Sequence, residues 1–134
     1  MTTEAQQESL RLMAHPSKTI VLVVEDDAIL RLMAVSVVED AGFEPIEASN
    51  ADEAVSILES RNDIRIVFAD IHMPGSMDGM KLAACIRDRW PPVEIIITSG
   101  YVPAKDVTIP ARGLFFPKPY NPHEISEAMR RMAT

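Results

Sequence analysis

Residues 19–27 read TIVLVVEDD, a continuously apolar, β-branched run that ends in three adjacent carboxylates. An apolar run of this length without alternation is typical of a strand that is covered on both faces, as in a parallel sheet. The same arrangement, in which polar or turn-forming residues end an apolar run, returns at residues 64–70 (IRIVFAD), 93–100 (VEIIITSG) and 113–119 (GLFFPKP). This repetition predicts several buried parallel strands whose carboxyl ends carry polar groups.

Segments with the period of an amphipathic helix separate these strands. We expect a first helix over Ala28–Ala41, a second after Asn50, a third over Gly79–Trp90, and a last one that opens at Asn121 with Pro122 at its first position. The side chains predicted to face the core are Leu30, Met33, Val37 and Ala41 in the first, Ala54, Ile57 and Leu58 in the second, Leu82, Cys85 and Ile86 in the third, and Ile125, Ala128, Met129 and Met132 in the last.

The alternation of five strands with helices predicts an α/β fold with a doubly wound five-stranded parallel sheet and helices on both faces. Phe43–Ala48 alternates apolar and polar residues and contains Pro45, which cannot donate to a sheet ladder, so this strand is predicted at an edge. Between Gly100 and Gly113 we expect a fourth helix that is short or irregular, because Pro103 and Pro110 leave room for about two turns. We also expect this segment to be more mobile than the other crossovers.

Composition narrows the class of protein. The chain has 134 residues, enough for one domain, with 47% hydrophobic and 25% charged residues and a formal net charge of −7. The acidic balance argues against a nucleic-acid or membrane partner, and the single cysteine, Cys85, excludes an intrachain disulfide and favours a reducing cytoplasm. We expect residues 1–17 to form a flexible N-terminal tail and residues 18–134 to form the globular domain.

The polar residues collect at the predicted strand ends. Glu25-Asp26-Asp27 follows the first buried strand, and Asp70, Thr98 and Lys118 follow three others. In open parallel sheets, ligands bind beyond the carboxyl ends of the strands, so these side chains are expected to share one shallow pocket.

Each of these residues also has an ordinary structural interpretation. Asp27 is a natural helix N-cap, and Asp70 beside Pro74-Gly75 suits a turn. Thr98 could be a satisfied hydroxyl and Lys118 a solvated surface lysine. Together these residues indicate a magnesium site, because clustered carboxylates favour a cation and Mg²⁺ prefers such hard oxygen ligands. A magnesium ion beside an aspartate, a lysine and a threonine suits phosphoryl transfer.

The ordered set Val24-Glu25-Asp26, Asp70-x-x-Met73-Pro74 with Met77-Asp78-Gly79, Thr98 and Lys118-Pro119 resembles the receiver domain of bacterial two-component response regulators. This resemblance covers about residues 18–133. It implies a flavodoxin-like strand order of 2-1-3-4-5 and a stand-alone protein similar to the chemotaxis regulators.

The resemblance also implies a role for each site residue. Asp70 would be the phosphoacceptor, with Thr98 and Lys118 completing the catalytic set and Thr98 and Phe115 acting as the switch pair. The Lys118–Pro119 bond would be cis. Mg²⁺ would be held by Glu25, Asp26, Asp70 and the backbone carbonyl of His72, although Glu25 stands where aspartate is commoner in the family.

The expected function is a magnesium-dependent signalling switch in a cytoplasmic two-component system or phosphorelay, with no output domain attached. Such a protein is not an enzyme beyond catalysing its own phosphorylation and dephosphorylation. Its expected partners are a sensor histidine kinase or a histidine phosphotransfer protein and a downstream protein of unknown identity, and it would be a monomer or a weak dimer.

Two other functions stay open from the residues. A phosphorylation-independent protein-interaction module would need none of the chemistry of Asp70. A magnesium-dependent aspartyl phosphatase would normally place a second carboxylate two residues after its nucleophile, where this chain has His72. Turnover of phosphoesters would reveal the phosphatase, whereas the module would accept no phosphoryl group.

Overall fold

The computed structural model describes residues 3–4, 18–73, 77–100 and 107–134. Strands and helices alternate along residues 18–99 of this part, and a further strand and a last helix follow within residues 107–134. Each predicted strand lies within two residues of its observed bounds. The elements are β1 (Ile20–Val24), α1 (Ala28–Asp40), β2 (Glu44–Ala48), α2 (Ala51–Ser60), β3 (Ile64–Asp70), α3 (Gly79–Arg89), β4 (Glu94–Ser99), β5 (Gly113–Pro117) and α4 (Pro122–Met132).

The five strands form one parallel sheet in the order β2-β1-β3-β4-β5. The predicted fold class and strand order are therefore confirmed. β2 lies at an edge of the sheet, as expected for a strand that contains Pro45. Among the described residues, no helix combines the length and apolar character that crossing a bilayer requires.

Two apolar layers cover the sheet because successive side chains of each strand point to opposite faces. Leu22, Val67 and Ile97 belong to the layer that packs against α2 and α3. Their neighbours in the chain, such as Phe68 and Ile96, belong to the layer that packs against α1 and α4. This alternation also fixes which face receives the residues at the strand ends.

The face of α1 differs from the prediction in its first half, whereas Val37 and Ala41 pack in the core as predicted. Leu30 and Met33 are exposed by 41% and 58%, whereas Ala34, Val35 and Val38 are buried. The first turns of this helix are apolar nearly all round, so the period alone did not select a face. Ile57 and Met132 pack against the core layers as predicted, although they are half-buried, and Cys85 is half-buried as well.

Two predictions fall mainly outside the described residues. The flexible tail covers residues 1–17, of which only 3–4 are described, and the short crossover helix would occupy residues 101–106 in large part. Residues 107–110 have neither helix nor strand structure, and Val107 and Ile109 pack against the α2–α3 layer. The mobility of this crossover stays a prediction.

Candidate functional site

Sheet geometry brings the strand-end residues together. Phe68 and Ile96 point into the α1–α4 layer, so Asp70 and Thr98, two residues further on, lie on the same face. Asp70 and Thr98 are also direct partners in the register of β3 and β4. Both are nearly buried, with exposed fractions of 8% and 3%. A carboxylate and a hydroxyl therefore stand side by side at the carboxyl edge of the sheet.

Lys118 joins this pair from the end of β5. Its Nζ donates a hydrogen bond to Asp70 Oδ2 at 2.9 Å and lies 3.5 Å from Glu25 Oε1. Burial alone would lower the pKa of Lys118, but the hydrogen bond and charge of Asp70, with a contribution from Glu25, outweigh it and raise that pKa. One ammonium thus bridges two carboxylates that come from different strands.

The ionised form of Glu25 is nevertheless disfavoured in this environment. The pKa of Glu25 is raised from 4.5 to about 7, chiefly by burial, then by a hydrogen bond with Asp26 and by the charge of Asp70. The Asp27 N–H, which donates to Glu25 Oε2 at 3.2 Å, and the charge of Lys118 oppose this shift without cancelling it. A group in this position favours a proton or another cation.

Backbone hydrogen bonds fix the loops that present Asp70 and Lys118. The N–H of Ile71 donates to the Thr98 carbonyl, and the N–H of Lys118 donates to the Ser99 carbonyl, each at 2.9 Å. Asp70 Oδ1 accepts from the His72 N–H at 3.3 Å. The Lys118–Pro119 peptide bond is cis, as predicted.

Gly79 is a site-supporting residue to which the sequence analysis gave no role. Its N–H donates to the Ile71 carbonyl at 2.9 Å, and a Cβ at this position would overlap the carbonyl oxygen of Asp70 and the Cα of Ile71. Only glycine lets α3 begin so close to the end of β3. The available signal was a glycine at the first position of a helix, directly after the N-cap Asp78.

The donors at this edge fit magnesium better than a transition metal. Carboxylate oxygens and the His72 carbonyl are hard ligands, whereas zinc would call for further imidazole or thiolate groups. Among the described residues, no three side chains of His, Cys, Asp or Glu form a ready metal cage. Magnesium does not require one, since it usually keeps several waters and uses one or two carboxylates.

A pocket of about 430 Å³ opens beside these groups. Its lining is largely apolar and includes Phe68, Val37 and Tyr120, together with the carboxylates of Glu25 and Asp70. The sequence analysis placed polar residues here but missed this apolar cleft. The available signal was the surplus of apolar residues in the first half of α1, of which Leu30 and Met33 line the pocket.

The remaining predicted residues border the cluster or lie on the other face of the sheet. Asp26 and His72 are exposed at the rim. Asp27 caps α1 by accepting from the N–H groups of Ile29 and Leu30, the structural role considered for it. Phe115 is half-buried, pairs with Ile97 in the register and packs on the opposite, α2–α3 face of the sheet.

Comparison with known proteins defines the class. Residues 21–130 match the family model described as the response regulator receiver domain. The chain belongs to this family, and its fold and the resemblance of its motifs agree with the match. As a receiver domain it belongs to phosphorylation-dependent two-component signalling.

Three relatives illustrate the match. The chain is 31% identical over 116 residues to the sensor kinase CckA of Brucella abortus. The matched region covers 84% of this chain but only 12% of the kinase. A response regulator receiver protein of Sinorhizobium medicae is 26% identical with a TM-score of 0.78, covering 86% of this chain and 94% of that one. TrrA of Thermotoga maritima, solved in complex with Mg²⁺ and BeF, is 26% identical with a TM-score of 0.75, covering 85% and 98%.

Proposed function

We propose that this domain is a signalling switch that accepts a phosphoryl group on Asp70 from a sensor histidine kinase or a histidine phosphotransfer protein. One observation carries the proposal: Lys118 Nζ bridges Asp70 and Glu25 in the lining of the pocket, and the raised pKa of Glu25 favours a further cation there. Such a site binds and neutralises an incoming phosphoryl group while it holds the carboxylate that attacks it.

In the transfer step, a carboxylate oxygen of Asp70 forms a bond to phosphorus as the bond from phosphorus to the imidazole nitrogen of the donor breaks. The bonding electron pair leaves with the donor imidazole, and Asp70 becomes an acyl phosphate. Lys118, already 2.9 Å from Asp70, pairs with the negative oxygens of the phosphoryl group. The Thr98 hydroxyl, adjacent in the register, donates a hydrogen bond to one of them.

Asp26 and Asp70, with the His72 carbonyl and with Glu25 acting through water, are the residues that would hold Mg²⁺. Bound there, Mg²⁺ supplies positive charge to the phosphoryl oxygens during transfer. The raised pKa of Glu25 and the hard-oxygen donor set support this assignment. The complex of the relative TrrA with Mg²⁺ and BeF supports it independently.

Phosphorylation adds a charge of about −1.5 to −2 at a nearly buried position. The expected response is a shift in a pre-existing equilibrium, in which Thr98 moves to meet the new oxygens and Phe115, next to Thr98's partner Phe116, changes its packing. The cytoplasmic location, the lack of an output domain and the monomeric or weakly dimeric state remain predictions.

The test is intact-mass measurement after incubation with Mg²⁺ and acetyl phosphate. We expect the chain to gain one hydroxylamine-labile phosphoryl group and Asp70→Asn to gain none. Asp78→Asn is the matched control, because asparagine replaces aspartate well as the N-cap of α3. An unphosphorylated wild-type chain would favour the interaction module, and continuous hydrolysis of added phosphoesters would favour the phosphatase.

A further inference from the structure

Arg31 connects α1 to the loop that carries the acidic pair and to the edge strand β2. Its Nη1 donates to the backbone carbonyl of Glu25 at 3.0 Å, and its Nε donates to Glu47 Oε1 at 3.2 Å. The Arg31 side chain is only 22% exposed, whereas that of Glu47 is 55% exposed. The guanidinium is therefore largely enclosed between a backbone carbonyl and a more exposed carboxylate.

The carbonyl that Arg31 holds belongs to the peptide between Glu25 and Asp26. Because a peptide unit is planar, fixing its oxygen also fixes the direction in which the chain continues to Asp26. The other polar groups of Glu25 already have partners, since its N–H donates to the Ala48 carbonyl and its Oε2 accepts from the Asp27 N–H. Among the described residues, the hydrogen bond to the Glu25 carbonyl comes from Arg31 Nη1.

We propose that Arg31 is a positioning residue for the magnesium site: it aims the Asp26 carboxylate by holding the Glu25–Asp26 peptide. The inference rests on the proposed function, because it concerns the same ion. Arginine suits the task since its planar fork makes two bonds in divergent directions, which a lysine ammonium on a flexible stem does not reproduce. Glu47 holds the fork in place by its second bond.

The alternative is a simple clasp that ties β2 to α1 and stabilises the fold without affecting the site. The two roles differ in the affinity for magnesium. A clasp changes the free energy of unfolding and leaves the Mg²⁺ dissociation constant of the folded protein unchanged. A positioning residue changes the dissociation constant, and the loss of phosphorylation is restored at saturating Mg²⁺.

The experiment compares wild-type protein with Arg31→Met, Arg31→Lys and Glu47→Gln. Calorimetric titration of the metal-free proteins gives the Mg²⁺ dissociation constant, and hydrogen exchange reports the order of the Asp26 and Asp27 amides. We expect Arg31→Met to weaken Mg²⁺ binding about tenfold or more, in the range seen when an outer partner of a metal ligand is lost. Its Asp26 and Asp27 amides should exchange faster than those of the wild type.

The other two variants separate geometry from charge. Arg31→Lys keeps the positive charge and should still lose most of the affinity, whereas Glu47→Gln keeps an acceptor for Nε and should stay within about twofold of wild type. A wild-type dissociation constant in both Arg31 variants would overturn the inference and leave the proposed function intact. If Arg31→Met does not fold, the Arg31→Lys value decides. A wild-type chain that binds no Mg²⁺ would overturn both proposals.

Discussion

The raised pKa of Glu25 predicts that the metal-free domain loses stability as the pH rises. This carboxyl titrates near its ordinary pKa of 4.5 in the unfolded chain and at about 7 in the folded protein. Between these pH values the folded state binds more protons than the unfolded state. The contribution of Glu25 to the free energy of unfolding is therefore largest below about pH 4.5 and falls as the pH rises through 7. The pKa difference corresponds to about 3.4 kcal/mol as an upper limit. Solvent screening at this partly open site reduces the value, so we expect a measured loss of about 1–3 kcal/mol.

The assay is urea-induced unfolding in the presence of a chelator at about pH 5 and about pH 8, the two sides of the Glu25 transition. Glu25→Gln removes the titrating group while it keeps nearly the same shape, so its free energy of unfolding should change less between the two conditions. Glu39→Gln, on the exposed side of α1, is the matched control and should behave like wild type. An unchanged pH dependence in Glu25→Gln would refute the reasoning.

The stabilisation of the domain by Mg²⁺ provides a second test of the role of Glu25. Mg²⁺ binds the deprotonated carboxylates, so it should stabilise the wild-type domain more at about pH 8 than at about pH 5. Equal stabilisation under both conditions would mean that Glu25 is not linked to the ion.

Two further predictions concern the supports of the site and use urea unfolding as the measurement. Gly79→Ala should destabilise the domain by about 2–3 kcal/mol or more, because the new methyl group overlaps the backbone of Asp70, whereas Gly100→Ala meets Lys118 at an ordinary 3.7 Å and should cost less than about 1 kcal/mol. Equal costs would contradict the proposed close approach. Asp27→Ala should lose about 1 kcal/mol with the N-cap of α1 while Asp27→Asn loses much less, and a neutral Asp27→Ala would show that the cap is dispensable.

The strands were predictable because their signals are local. A β-branched run such as Ile20–Val24 is short, apolar throughout and bounded by charged residues, so both its type and its length follow from the sequence. Pro45 likewise placed β2 at an edge, since the missing N–H excludes a central position. The caps at Asp27 and Asn121 were local as well, because a helix N-cap bonds to its own first turn.

The face of α1 was not predictable in the same way. Apolar residues occupy so much of Ala28–Val38 that two different stripes fit the helical period, and the sheet chose the one through Ala34, Val35 and Val38. Small side chains allow close packing on β1, which leaves Ile29 and Leu32 outside. The local sequence pattern does not determine which of two apolar faces packs on the sheet, because that choice depends on tertiary packing.

In the candidate site, the topology of the sheet determines which residues meet, whereas distances of a few ångströms determine the balance of charge among them. Parallel strands have all their carboxyl ends at one edge, so residues as far apart in the chain as Asp70 and Lys118 meet there without any long-range signal in the sequence. The balance of charge is different: Lys118 lies 2.9 Å from Asp70 but 3.5 Å from Glu25, and burial leaves Glu25 with its raised pKa. Coulombic energy and desolvation change steeply over such distances, which strand assignment alone does not determine. The sequence therefore predicts which groups meet, while the coordinates are needed to identify Glu25 as the group whose proton a metal ion would replace.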